Sequence, residues 1–141
     1  MGGVLAYRAA ARREDIAGLA LLAPGFSITS RFLLELKATA SREGSAVFTE
    51  AGREYRVSRA FFESRDFDPI ALAPRVTVPT LIAIGDLDYT VDREACRGVA
   101  DALERGSFII AQGEGHDLTG LSYWPALASF ISRFEPEGRG I

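Results

Sequence analysis

The fold is decided by the stretch PTLIAIGDLD, residues 79–88, early in the second half of the chain. Its core, TLIAI at 80–84, is an uncharged run between a proline and a glycine. A run without polar alternation predicts a strand that is covered on both faces, as in a parallel sheet. Two carboxylates follow it, Asp86 and Asp88, and the carboxyl end of a parallel strand is where open α/β sheets bind ligands.

Two more apolar runs predict partners for this strand. They are IAGLALLA at 16–23, ended by Pro24 and Gly25, and SFIIA at 107–111. The run at 16–23 does not alternate, so we expect both of its faces to be covered as well. Helices are predicted over 3–13 by alanine content and over 93–103 and 123–134 by apolar residues at helical spacing. Helices that alternate with such strands predict an α/β fold with three parallel strands and flanking helices.

The segment between the first two strands has a different pattern. A helix is predicted over about 30–40, and the short segments AVFT at 46–49 and EYRV at 54–57 flank a glycine-containing turn, which predicts a β-hairpin. We therefore divide the chain into a core, 1–25 and 75–141, and an inserted cap or lid, 26–74. The aromatic residues of the insertion either line an acyl pocket or form the cap's own core: Phe48, Tyr55, Phe61, Phe62 and Phe67.

Composition narrows the class of protein. Hydrophobic residues make up 48% and charged residues 25% of the 141 residues, with a net charge of −3, which predicts a globular domain that does not bind nucleic acid. The one cysteine, Cys96, cannot form an internal disulfide, and no apolar stretch approaches the ~20 residues that span a bilayer. We expect a cytoplasmic protein with no membrane partner. No Cys/His cluster or glycine-rich phosphate loop occurs, so we expect no metal and no cofactor.

The single histidine follows the third strand in the sequence GEGH, residues 113–116. If the helix at 93–103 crosses over between the second and third strands, these are neighbours roughly 4.8 Å apart. His116 would then meet a carboxylate at one edge of the sheet, as a general base and its orienting acid must. Taken alone, however, a histidine in a glycine-rich loop and an aspartate in a turn are more often structural.

These segments together resemble the α/β-hydrolases. MGG at 1–3, followed by an alanine-rich helix, is similar to the tail of the G-x-S-x-G nucleophile elbow. GDLD at 85–88 resembles the family's acid loop, and GEGH at 113–116 resembles its histidine loop. The insertion is similar to the small cap of cinnamoyl/feruloyl-type esterases. The resemblance implies the C-terminal half of an α/β-hydrolase fold.

The resemblance also implies roles for individual residues. Asp88 would be the acid that orients His116, the base, while Asp86, Asp92 and Asp117 rank below Asp88 for the acid role. The serine nucleophile would stand just before Met1, whose backbone N–H would contribute to the oxyanion hole. The substrate would be a small-molecule ester or acyl compound, hydrolysed through an acyl-enzyme.

The nucleophile is not expected within the 141 residues, because neither Ser27 nor Ser122 has the elbow pattern. We therefore expect the chain alone to be inactive, and to partner either a missing N-terminal half or a second copy in a dimer. An aspartate or cysteine in the nucleophile's place would indicate dehalogenase-like or dienelactone-hydrolase-like chemistry instead. Two alternatives stay open: a non-catalytic binding or interaction module built on the half-fold, and an amide or peptide-bond hydrolase.

Overall fold

The computed structural model describes residues 2–64 and 66–134. The elements in chain order are α1 Gly2–Ala10, β1 Leu19–Leu22, α2 Arg31–Glu43, β2 Ser45–Glu50, β3 Arg53–Ser58, α3 Arg59–Glu63, α4 Pro69–Leu72, β4 Thr80–Gly85, α5 Arg93–Ala102, β5 Gly106–Ala111 and α6 Trp124–Ile131. Short 3₁₀ turns follow α4 at Ala73–Arg75 and α6 at Ser132–Phe134. In the part of the chain described, no helix combines the length and the apolar character needed to cross a bilayer.

The centre of the molecule is a parallel sheet with the strand order β1-β4-β5. Thr80 is paired with Leu19 of β1 on one side and with Gly106 of β5 on the other. β4 is buried along its whole length, as expected for a strand with a neighbour on each side and helices on both faces. The predicted α/β class, with three parallel strands and flanking helices, is confirmed.

Alternate residues of β4 point into two separate apolar clusters. Ile82 and Ile84 pack with residues of α1 and α5 on one face of the sheet. Leu81 and Ala83 pack with Leu127 and other residues around α6 on the opposite face. This division follows from the two-residue period of a strand, and it places β4 between two layers of helices.

β1 differs from its prediction. The strand is limited to Leu19–Leu22, and its burial alternates: Leu19 and Leu21 are buried, whereas Ala20 and Leu22 are exposed. The expectation that both faces are covered was therefore wrong. The cluster around α6 includes Leu81 of β4 but neither Ala20 nor Leu22. β1 is the last strand of the sheet in the described residues, and the α6 layer does not bury Ala20 and Leu22.

The segment between β1 and β4 contains a separate two-stranded antiparallel sheet, β2-β3. α2 ends at Gly44, whose φ of 85° is the left-handed conformation that closes many helices and here leads directly into β2. Leu36 and Ala40 of α2 pack with Ala46 of β2 and Phe62 of α3 in a small apolar cluster. The interpretation of 26–74 as a cap or lid stays a prediction.

Tyr7 connects α1 to the end of this inserted segment. Its side chain is fully buried, its ring packs edge-on against Phe26 at 5.0 Å, and its hydroxyl donates a hydrogen bond to the carbonyl oxygen of Pro69 at 2.8 Å. Burial, and secondarily the charge of Asp68, raise the pKa of Tyr7 to about 12. The hydroxyl is therefore held neutral as a donor across the junction between α1 and α4.

We expect Tyr7→Phe to lower the free energy of unfolding by about 1 kcal/mol, because the carbonyl of Pro69 loses its donor. Tyr55→Phe, on the exposed hairpin, is the matched control and should change the free energy of unfolding by less than about 0.5 kcal/mol.

The native protein should also lose stability between pH 10 and about pH 12, since an unfolded tyrosine ionises at the lower value and Tyr7 only at the higher. Urea unfolding followed by Trp124 fluorescence measures both effects; equal stability of the two variants would contradict the assignment.

Candidate active site

Asp88 lies in the turn directly after β4, and hydrogen bonds fix its carboxylate. Oδ1 accepts from the backbone N–H groups of Thr90, at 2.8 Å, and Val91, at 3.1 Å. This is the pattern by which an aspartate side chain closes a turn on its own backbone. The side chain is 0% exposed, and the other oxygen, Oδ2, is left to contact a group outside the turn.

That group is the imidazole of His116, whose Nδ1 lies 2.9 Å from Oδ2 of Asp88. A carboxylate can only accept hydrogen bonds, so in the neutral ring Nδ1 carries the proton and Nε2 presents its lone pair. The His116 side chain is 41% exposed, whereas the carboxylate behind it is buried. The arrangement can therefore take up a proton on Nε2 from a group at the surface, while the carboxylate stabilises the resulting imidazolium.

The two loops meet because β4 and β5 end together, with Gly85 paired to Ala111. Beyond that pair, the N–H of Asp86 donates to the carbonyl of Ala111 at 3.1 Å, and the N–H of Leu87 donates to the carbonyl of Glu114 at 2.9 Å. A Cβ on Gly85 would overlap the carbonyl of Glu114. Only glycine at this position lets the histidine loop lie across the end of β4.

The other acids considered for the orienting role have different partners. Asp86 accepts from the backbone N–H of Glu114 at 3.2 Å. Asp92 caps α5 by accepting from the N–H groups of Glu94 and Ala95. Asp117 is exposed. Within residues 2–64 and 66–134, Asp88 is thus the acid whose side chain contacts His116.

The predicted oxyanion donor, Met1, lies outside the described residues. α1 begins at Gly2, and a Cβ on Gly3 would lie 3.1 Å from Cβ of Pro24, just beyond β1. The N-terminal end of α1 is therefore at the carboxyl edge of the sheet, the edge that carries Asp88. No hydroxyl of the described residues is hydrogen-bonded to His116.

Solved structures share this architecture. Over 94% of this chain, the monoacylglycerol lipase of Paleococcus ferrophilus is similar at a TM-score of 0.72 and 16% identity, with 65% of the lipase covered. The esterase domain of a Rhodothermus marinus protein is similar over 94% of this chain and 57% of its own, with a TM-score of 0.63 and 17% identity. The alpha/beta hydrolase GrgF of Penicillium sp. sh18 is similar over 93% of this chain and 60% of its own, with a TM-score of 0.66 and 17% identity.

This chain has the α/β-hydrolase fold. It spans 57–65% of the length of these three structures. No protein-family model matches the sequence, and no curated protein matches it either. The family resemblance of the sequence is therefore confirmed at the level of the fold.

A cavity of ≈260 Å³ lies in the inserted segment of this α/β-hydrolase fold, and the first residues of that segment contact the chain just after the acid loop. Its wall after β1 is joined to that loop: Ile28 forms a bridge with Val91, and the carbonyl of Ser27 accepts from the N–H of Asp92 at 2.9 Å. The remaining lining also comes from the inserted segment: Leu33, Leu34, Lys37, Phe62, Asp66 and Phe67. Asp88 lines a separate cleft, together with Thr29, Tyr89 and Arg93.

The five aromatic residues for which an acyl pocket and a core of the cap stayed open as alternatives lie in different surroundings. Phe62 and Phe67 line the cavity. Phe48 instead stacks on Tyr55 across the hairpin, with ring centroids 5.3 Å apart, and Phe61 packs edge-on against Phe62. Phe48 and Tyr55 face each other because they are paired in the β2-β3 register, which the sequence pattern alone does not reveal.

Glu114 is a buried residue of the histidine loop whose role the sequence analysis missed. It is 3% exposed, and its carboxylate accepts hydrogen bonds from the N–H groups of Gly120 and Ser122, each at 2.7 Å. The amide of Ser122 and then that of Gly120 hold the pKa of Glu114 below its usual range, against the opposing effect of burial. No sequence pattern marks this role, because the carboxylate of Glu114 is bound by the backbone N–H groups of Gly120 and Ser122.

The close approach at Gly85 gives a prediction about stability. Gly85→Ala should cost about 1–3 kcal/mol of unfolding free energy, because the added methyl group forces β4 and the histidine loop apart. Gly98→Ala, in the middle of α5, adds the same methyl group in ordinary contact with Ile70 and should stabilise the protein by up to about 1 kcal/mol. Thermal unfolding of both variants measures the difference, and a Gly85→Ala variant as stable as Gly98→Ala would refute the close approach.

Proposed function

We propose that Asp88 and His116 are the acid and the base of an esterase that acts through a serine nucleophile. The proposal is carried by the Asp88–His116 contact: one carboxylate oxygen is fixed by two backbone amides and the other receives Nδ1 at 2.9 Å. An aspartate that closes a turn needs only the backbone N–H donors of that turn, so the turn would form without the contact between Oδ2 and His116. The effect of that contact is to set the tautomer that leaves Nε2 free to accept a proton.

The reaction follows the acyl-enzyme route. Nε2 of His116 takes the proton of the serine hydroxyl as the serine oxygen attacks the ester carbonyl carbon. The imidazolium then gives this proton to the departing alcohol, and the C–O bond of the ester breaks to leave the acyl-serine. In the second half, His116 takes a proton from water, the hydroxide adds to the acyl carbon, and the proton returns to the serine oxygen. Asp88 stays ionised throughout and stabilises the charged ring.

The nucleophile in this proposal precedes Met1, at the position that the elbow resemblance assigns to it. Two observations support this: the N-terminal end of α1 lies at the carboxyl edge of the sheet beside Pro24, and no described hydroxyl is bonded to His116. In this proposal, the strands that precede Met1 would pair with the open edge of β1. On this proposal, the 141-residue chain alone is inactive.

The substrate class is a carboxylic ester with a small acyl or alcohol group. The cavity of ≈260 Å³ supports this, because Phe26, Phe62 and Phe67 line it and its wall at Ile28 forms a bridge with Val91, which follows the Asp88 turn. The similar structures include one named as a monoacylglycerol lipase and one as an esterase domain. An ester rather than an amide is proposed on the strength of these two relatives in fold.

The test is to express the chain together with the segment encoded directly upstream of Met1 and to follow the hydrolysis of p-nitrophenyl acetate and butyrate. We expect that segment to end in Gly-x-Ser and the extended protein to hydrolyse both esters. Asp88→Asn and His116→Gln should lower kcat by about 10⁴-fold or more, because the base loses its orientation or is absent. Asp117→Asn, which removes an exposed acid next to His116, is the matched control and should retain full activity.

Three results would contradict the proposal. An unchanged kcat in Asp88→Asn would show that Asp88 is not the acid that orients His116. Robust turnover by the 141-residue chain would show that the nucleophile lies within these residues. A stop codon directly upstream of Met1 would favour the alternative of a non-catalytic binding module.

A further inference from the structure

The loop that carries His116 is closed by one of its own side chains. From Glu114 the chain runs through His116 to Gly120 and Ser122, and the Glu114 carboxylate bonds both of these last N–H groups at 2.7 Å. We propose that Glu114 is a positioning residue that holds His116 in contact with Asp88. This inference deepens the proposed function, since it concerns how the proposed base is kept in place.

Burial and charge make these hydrogen bonds strong. Glu114 is almost fully buried, and among the described residues it forms no ion pair with a lysine or arginine. Its negative charge is balanced by backbone N–H dipoles, and hydrogen bonds of an ionised acceptor are shorter and stronger than neutral ones. Removing the charge would weaken both bonds, while removing an acceptor oxygen would take this partner away from one of the two amides.

The backbone of this loop is strained and must be held by its contacts. Leu118 and Leu121 have φ values of 52° and 61°, a left-handed conformation that costs free energy for residues other than glycine. Leu118 is anchored by burial against Leu81 and Ala111. The stretch from Gly120 to Ser122, which includes Leu121, is held by the carboxylate of Glu114.

Glu114 also joins the histidine loop to the acid loop. Its N–H donates to Oδ1 of Asp86 at 3.2 Å, and its carbonyl accepts from the N–H of Leu87 at 2.9 Å. His116 therefore lies between two attachments made by one residue: the backbone of Glu114 on the acid loop and its side chain on Gly120 and Ser122. Fixing both sides of His116 keeps Nδ1 at hydrogen-bond distance from Asp88.

Glutamine is the substitution that separates positioning from packing, because it has nearly the same shape as glutamate. The amide side chain has one acceptor oxygen, and its NH₂ group would face an N–H donor. If Glu114 merely fills space, Glu114→Gln leaves His116 unaffected. If Glu114 positions His116, the variant loses one closing bond, and the hydrogen bond between Nδ1 and Asp88 opens more often.

The experiment uses the ¹⁵N-labelled 141-residue chain, in which His116 is the only histidine and gives unambiguous side-chain signals. Exchange of the Nδ1–H proton with water is measured by NMR, and far-UV circular dichroism checks the fold. We expect exchange to be about tenfold faster or more in Glu114→Gln, since the rate follows the opening of the bond. Glu104→Gln, which removes an exposed glutamate, is the matched control and should exchange like the wild type.

Gly120→Ala repeats the test from the other side, because its Cβ would lie 2.9 Å from Oε1 of Glu114 and displace the carboxylate. If Glu114→Gln does not fold, the exchange rate of Nδ1–H in Gly120→Ala tests the positioning role instead. Wild-type exchange in a folded Glu114→Gln, or in Gly120→Ala where that variant replaces it, overturns the proposal. The readout does not depend on ester hydrolysis: faster exchange together with an inactive extended protein would sink the proposed function and leave the positioning role intact.

Discussion

The hydrogen bond between Oδ2 of Asp88 and Nδ1 of His116 is the contact on which the site depends. It requires β4 and β5 to be adjacent, parallel and equal in extent, because each partner comes from the loop that follows one of these strands. It also requires a glycine at position 85, where the backbone of the histidine loop crosses the end of β4. The fold thus brings together two residues that are 28 positions apart in the sequence.

Backbone amides, rather than basic side chains, hold the carboxylates of Asp88 and Glu114. Asp88 is fixed by Thr90 and Val91, and Glu114 by Gly120 and Ser122. Such donors are positioned by the fold and do not need to reorganise when charge moves, which is the property attributed to preorganised active sites. A guanidinium bonded to Asp88 would compete with the imidazole for the same oxygen. The turn amides occupy Oδ1 and leave Oδ2 to His116.

Much of the fold could be predicted from the sequence because its strands are apolar runs with clear ends. β4 was expected over 80–84 and forms over Thr80–Gly85, directly after the proline and up to the glycine of that run. The prediction that both faces of β1 are covered was wrong, because an apolar run does not indicate how many neighbouring strands a strand has or which helices pack on it. The meeting of Asp88 with His116 followed from strand adjacency, whereas the function of Glu114 could not be predicted, because its partners are backbone groups that leave no residue pattern.

The most direct test of this account is the tautomer of His116 in the neutral 141-residue chain, read from two-bond ¹H–¹⁵N correlations of its single imidazole. The account predicts that the ring proton resides on Nδ1, and that it moves to Nε2 in Asp88→Asn, where an amide donor replaces the accepting oxygen. A neutral ring with its proton on Nε2 in the wild type would contradict the contact that defines the site. So would a tautomer that is unchanged between the wild type and Asp88→Asn.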